Sequence, residues 1–186
     1  KSKLNIISDS KVILFVGRIN KDKGIITLSH AIIRLIKKGY DLTFLIIGDK
    51  EDETIDIVRK IFFGVNKKLL ILNFQDDIEK YYNLAYITCL PSLREGFGMS
   101  LLESSACGTP VIGSDIYGLK DTVINNYNGL LFPYGEIFSL STKIEYLIKN
   151  RPKYDYFKRN GIFRVKSLFL EDKVINDFDN FLKDQL

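Results

Sequence analysis

Val12-Ile13-Leu14-Phe15-Val16-Gly17, continuing through Arg18-Ile19-Asn20-Lys21-Asp22-Lys23-Gly24 into Ile25 to Lys38, decides the fold class. The first five residues are β-branched, aliphatic or aromatic with no polar alternation, the pattern of a strand buried on both faces. Gly17 ends the run. After Gly24, the residues Ile25, Leu28, Ile32, Leu35 and Ile36 return near helical spacing until Gly39 stops them. Strand, glycine-bounded basic loop, helix is the opening of a βαβ unit.

The same cycle repeats downstream. Strands are expected over Leu42–Ile47, Leu69–Leu72, Tyr86–Leu90, Val111–Ile112 and Gly129–Phe132, with helices over Glu51–Phe62, Asp77–Leu84 and Met99–Cys107. From Glu136 the pattern turns helical: Glu136–Lys149, Lys153–Gly161 and Leu168–Leu182. Strands that alternate with helices imply an α/β fold. It would be a doubly wound, Rossmann-like parallel sheet of about six strands, with helices on both faces and a helical C-terminus. In such sheets ligands sit at the carboxyl ends of the strands, so the loops after Val16, Ile47, Leu72, Leu90, Ile112 and Phe132 carry the functional expectations. No internal repeat is visible.

Composition narrows the classes. Of 186 residues, 46% are hydrophobic and 27% charged, which supports a full core and gives no sign of disorder. The net charge of +4 is mild, and its Lys and Arg are scattered along helices rather than clustered, so no nucleic-acid partner is expected. That balance suits a phosphate-bearing ligand or loose attraction to an anionic membrane surface. Cys89 and Cys107 form no CxxC pair and no His/Cys cluster, so no metal site is expected; they read as two small thiols of a reducing compartment. No apolar stretch reaches the length of a membrane span. The polar start, residues 1–10, reads as a linker entering a domain over 11–186.

Two loops carry chemistry. In the first, Arg18 and Lys23 lie between a glycine leaving a strand and a glycine opening a helix. Helix-terminal N–H groups with flanking cations suit a diphosphate, although the loop matches neither GxxxxGK[ST] nor GxGxxG, and a solvated basic loop remains the plain alternative. The second is Pro91-Ser92-Leu93-Arg94-Glu95-Gly96-Phe97-Gly98-Met99-Ser100-Leu101-Leu102-Glu103. Gly96 and Gly98 let the backbone approach a ligand, and the helix begun near Met99 points its unpaired N–H groups into the same crevice. Glu95 and Glu103 can accept bonds from vicinal hydroxyls or serve as ordinary surface carboxylates. Glu103 is expected to be buried, since Leu101, Leu102, Ala106 and Cys107 surround it in sequence. His30, the single histidine, falls in the second turn of its helix, away from the crevice. Tyr81-Tyr82 and the aromatics of Tyr154 to Phe157 read as packing.

Gly17-Arg18 with Lys23-Gly24, then Pro91-Ser92, Glu95-Gly96-Phe97-Gly98, Glu103 and Gly108-Thr109-Pro110-Val111, together resemble the C-terminal domain of family 4 glycosyltransferases of the GT-B fold. The resemblance covers nearly the whole chain, and its two glutamates stand eight positions apart as in that family's paired-glutamate motif. It implies a retaining, metal-independent glycosyltransferase whose substrate is a nucleoside-diphosphate-sugar and which needs no cofactor. Arg18 and Lys23 would stabilise the leaving diphosphate and Glu95 would bond the donor sugar. Gly17 and the backbone of Gly96, Phe97, Gly98, Met99, Ser100 and Leu101 would line the pocket. Glu103 would hold the ribose, and Asn73 to Asp77, with Phe74 and Gln75 foremost, would meet the nucleobase. The family favours glycine where Asn73 and Asn126 stand, and Asp121 falls near a family glutamate.

The resemblance further implies that the acceptor site belongs to an N-terminal GT-B domain absent from this chain, so this half alone should be inactive. It also implies work in polysaccharide or glycolipid assembly, in the cytoplasm or at the inner face of the membrane through the complete enzyme. Two other classes stay open: a different enzyme on the same scaffold, such as a phosphorylase or a sugar-nucleotide epimerase, and a non-catalytic nucleotide-sugar or partner-binding module.

Overall fold

A computed structural model of the chain describes residue 6 and residues 9–65 and 68–175. Among the described residues six strands, β1 (Lys11–Val16), β2 (Leu42–Ile47), β3 (Leu69–Leu72), β4 (Ile87–Leu90), β5 (Val111–Ser114) and β6 (Gly129–Phe132), form one sheet in the order β3-β2-β1-β4-β5-β6. Every pair is parallel. The helices are α1 (Ile25–Lys37), α2 (Thr54–Ile61), α3 (Ile78–Leu84), α4 (Met99–Ala106), α5 (Tyr117–Lys120), α6 (Ile137–Lys149) and α7 (Arg151–Leu168). This is the doubly wound fold expected from the strand–helix alternation.

The period-two geometry of a strand splits the apolar runs between two layers. From β1, Ile13 and Phe15 enter the larger core, which α1, α2 and α6 cover with Leu28, Val58 and Ile144. Val12 and Leu14 point the other way, into a second cluster with Leu45, Ile47 and Tyr82 of α3. Central strands buried on both sides need no alternation in sequence, which is why β1 and β2 read as unbroken apolar runs.

Several boundaries differ from expectation. The helix expected from Glu51 begins at Thr54, because the Asp52 carboxylate accepts the N–H groups of Thr54 (2.8 Å) and Lys21 (3.0 Å), holding that turn out of the helix. The helix expected over Lys153–Gly161 is longer at both ends, the 18-residue α7 from Arg151 to Leu168. Asn150 caps it by accepting the Lys153 N–H, and Gly161 does not end it but packs on Ser105 of α4. Residues 171–175 are helical again, and the remainder of the expected Leu168–Leu182 helix lies outside the described residues. The four-residue α5 had no helical period long enough to be seen. Most of the expected linker 1–10 also lies outside the described residues; within it, Ile6 is buried in the second cluster and Ser10 Oγ lies 2.8 Å from Thr43 Oγ1. Among the described residues no helix is long and apolar enough to cross a membrane.

Candidate functional site

The order 3-2-1-4-5-6 reverses between β1 and β4, and a crevice opens there beyond the carboxyl ends of the strands. The loop after β1 and the loop after β4 meet across it. Gly24 has φ +66°, and a Cβ there would stand 2.0 Å from the Pro91 carbonyl oxygen, so only glycine fits the approach. The Leu93 N–H donates to the Asp22 carbonyl at 2.7 Å, and Arg94 Nη2 reaches Asp22 Oδ2 at 2.6 Å.

At this junction Lys23 Nζ donates to Glu95 Oε1 at 2.6 Å, and Ser92 Oγ donates to the same oxygen at 2.8 Å. The pair is shielded, with side chains 15% and 12% exposed, and Ser92 is fully buried. Glu95 Oε1 is thus held by two donors. From the other side, α5 presses close: a Cβ on Gly118 would stand 1.8 Å from the Glu95 carbonyl oxygen. Gly98, left-handed at φ +74°, starts α4. The Leu101 N–H is already spent on the Gly98 carbonyl at 2.9 Å, and its side chain lies in the core. The N–H groups of Met99 and Ser100, at the helix start, lack intrahelical acceptors. Phe97 turns its ring edge-on to Phe169, centroids 5.6 Å apart, and its carbonyl accepts the Thr122 hydroxyl.

Beside this junction lies a cavity of about 370 Å³ lined by the ends of β1 and β2 (Gly17, Arg18, Gly48, Asp49), by Phe74, Gln75 and Asp76, and by Glu103 of α4. It therefore joins six of the residues picked from sequence: Gly17, Arg18, Phe74, Gln75, Asp76 and Glu103. Glu103 is exposed, contrary to the burial expected: it stands on the one face of α4 that borders the crevice while its neighbours Leu102 and Ser104 point inward. Its Oε2 accepts a bond from the Tyr82 hydroxyl at 2.8 Å. Burial, and then the bond to Glu103, push the Tyr82 phenol well above its ordinary pKa, so it remains a neutral donor. The adjacent Tyr81 hydroxyl donates to Gln75 Oε1 at 2.8 Å. Both tyrosines therefore do more than pack.

Arg18 is not aimed at Lys23. Its guanidinium lies 2.9 Å from Glu51 Oε1, while Asn20 holds the other oxygen of Glu51 at 2.6 Å. Those two bonds, Asn20 first, keep the Glu51 carboxyl below its usual pKa. Arg18 is 68% exposed at the cavity edge, free to swing about a surface ion pair of small worth. Phe74 is exposed, and its N–H reaches Asp49 Oδ1 at 3.3 Å. Asn73 does not take the left-handed region; Asn126 does, at φ 63°. Asp49, Glu51, Tyr81, Tyr82 and Ser92 went unread as site residues. Asp49 alone carried a signal, its place directly after Ile47-Gly48 at a strand end. His30 is exposed on α1 beside Arg34 and Ile137, away from the crevice.

The family model described as "Glycosyl transferases group 1" matches residues 1–163. The chain is 32% identical over 184 residues to the capsular polysaccharide biosynthesis glycosyltransferase CapM of Staphylococcus aureus, covering 96% of this chain and 48% of that one. It is 31% identical over 139 residues to D-inositol 3-phosphate glycosyltransferase of Corynebacterium efficiens, covering 70% of this chain and 33% of that one. The chain thus spans about half or less of the length of these relatives. Among solved structures, Anabaena Alr3699/HepE in complex with UDP-glucose superposes with a TM-score of 0.89 at 21% identity, over 98% of this chain and 51% of that one. The C-terminal domain of the group 1 family protein LpcC of Francisella tularensis gives 0.75 at 24%, over 87% of each chain. At those identities the likenesses speak for the fold, which is that of a Rossmann-like GT-B domain. With the sequence matches they leave one conclusion: this chain belongs to the group 1 glycosyltransferases.

Proposed function

We propose that the chain is the donor-binding half of a retaining, metal-independent glycosyltransferase that takes a nucleoside-diphosphate-hexose, completed by an N-terminal acceptor domain of the same protein. The observation that carries this reading is Glu95, pinned through one oxygen by Lys23 and Ser92 on the loop that leads into α4, the helix whose Glu103 lines the cavity. The cavity takes the nucleoside, with the ribose hydroxyls on Glu103 and the base over Phe74 and Gln75. The diphosphate lies across the switch point, where Lys23, Arg18 and the N–H groups of Met99 and Ser100 meet it. The sugar reaches the Glu95–Gly98 loop, with Gly96 and Phe97 offering backbone and Glu95 Oε2 accepting its hydroxyls.

In the transfer step the bond from the anomeric carbon to the diphosphate oxygen breaks and negative charge grows on the leaving diphosphate. Fixed positive charge and oriented N–H groups stabilise that charge where it develops. Arg18 and Lys23 would supply what a bound cation supplies elsewhere. The UDP-glucose held by Alr3699/HepE supports a uridine diphosphate donor, and the role of CapM in capsular polysaccharide supports a polysaccharide or glycolipid product. Such work would place the complete protein in the cytoplasm, at the inner membrane face.

Titration calorimetry of this chain with UDP-, GDP- and ADP-glucose tests the binding half of the proposal. Submicromolar to millimolar binding of one of them is expected, with no transfer by the chain alone. Failure to bind any of the three refutes the donor assignment and favours a partner-binding module.

A further inference from the structure

We infer that Tyr82 is the positioning residue for Glu103, fixing which carboxylate oxygen the cavity presents; this rests on the assignment of Glu103 to the donor ribose. Tyr82 is wholly buried and touches no part of the cavity surface. Its ring is packed among Val12, Leu14, Leu45 and Ile47, one sheet face, and its carbonyl accepts the buried Thr109 hydroxyl at 2.7 Å. The phenol is therefore anchored at both ends of the residue and cannot follow a moving partner.

Glu103 is the reverse case: an exposed side chain on a helix, with several rotamers open to it. The bond from Tyr82 to Oε2 selects one of them and leaves Oε1 for the cavity that Glu103 lines together with Gly17 and Gln75. A pair of vicinal hydroxyls needs an acceptor whose position is set in advance, since every rotamer frozen on binding subtracts from affinity. A neutral phenol suits the task. It donates without adding a positive charge that would compete with the ligand, and its raised pKa keeps the proton on it.

The test is a ligand cycle by calorimetry. UDP, GDP and ADP are titrated into this chain, and the tightest of them is compared with its 2′,3′-dideoxy form in the wild type, Tyr82→Phe, Glu103→Gln and the double variant. Tyr82→Phe is expected to weaken the ribonucleotide about tenfold, the size of one lost charge-assisted bond, and the dideoxy form less than about twofold. The double variant should lose little beyond Glu103→Gln alone, because the two act as one unit. Equal weakening of both ligands by Tyr82→Phe, or none, overturns the positioning role, and thermal unfolding of that variant separates loss of fold from loss of fit. If Glu103→Gln itself leaves the ribonucleotide unchanged, or no diphosphate binds the wild type, it is the ribose assignment that fails.

Discussion

Glu95→Gln should divide the donor into its parts. Lys23 is already paired with Glu95 at 2.6 Å, so an arriving diphosphate must share that ammonium with a carboxylate. Two anionic oxygens on one ammonium stand about 5 Å apart, and their repulsion is roughly 0.8 kcal/mol at the permittivity of water and about 3 kcal/mol at an effective value of 20. The pair is shielded, with side chains 15% and 12% exposed, so a value between the two applies: removing the charge of Glu95 should favour UDP by about 2 kcal/mol, a roughly thirtyfold tighter Kd. The sugar feels the opposite change. The amide of the variant keeps the shape of the carboxylate but offers a weaker acceptor to the sugar hydroxyls, so the advantage of UDP-glucose over UDP should shrink by about tenfold. Calorimetry of both ligands on wild type and Glu95→Gln measures the crossing. A weaker UDP in the variant, with an unchanged ratio of UDP to UDP-glucose, would refute the idea that one carboxylate both competes for Lys23 and reads the sugar.

The same geometry constrains other variants. Lys23→Ala should weaken UDP by roughly 10- to 100-fold, whereas Arg18→Ala, whose side chain begins in a surface ion pair, should cost about tenfold or less; calorimetry ranks them. Ser92→Ala leaves Glu95 Oε1 with one donor instead of two, and should lower sugar-dependent affinity about threefold while Ser92→Thr restores part of it. Gly118→Ala forces a methyl onto the Glu95 carbonyl and should destabilise the fold by about 1–3 kcal/mol in urea unfolding. Away from the crevice, bonds from Lys149, Lys38 and Tyr40 hold the Glu145 carboxyl down to about 2 from its usual 4.5. A depressed folded-state pKa gives stability that is complete above pH 4.5 and lost as the pH falls toward 2. The melting temperatures of wild type and Glu145→Gln should therefore converge over that window, and a gap that stays constant would contradict it.

The sequence carried the fold class because β1 and β2 are buried on both faces and so are written as plain apolar runs. It carried the crevice because Gly24, Gly98 and the residues between strand and helix are constrained by backbone geometry that only certain residue types satisfy. Strand order was not written in any local pattern: that β1 lies between β2 and β4 follows from crossover packing over distances no periodicity spans. The misread exposure of Glu103 has a related cause. Its neighbours are apolar, yet a helix turns about 100° per residue, and one exposed stripe on a short helix is invisible among buried ones. Tyr81 and Tyr82 were read as packing for the same reason: a phenol's partner lies outside its own element, on the loop after β3 for one and on α4 for the other.

The stitching of the two crevice loops reaches beyond binding. Gly24 against the Pro91 carbonyl, Leu93 on Asp22 and Arg94 on Asp22 join segments some seventy positions apart in the chain. Neither loop can lengthen, shorten or change its glycine without dislodging the other. A chimaera that imports the segment around Arg18 to Gly24 from a relative must import the segment around Pro91 to Gly98 with it. New donor preferences in this scaffold are thus easier to reach through Phe74, Gln75 and Asp76, which hang from the far edge of the sheet outside that seam.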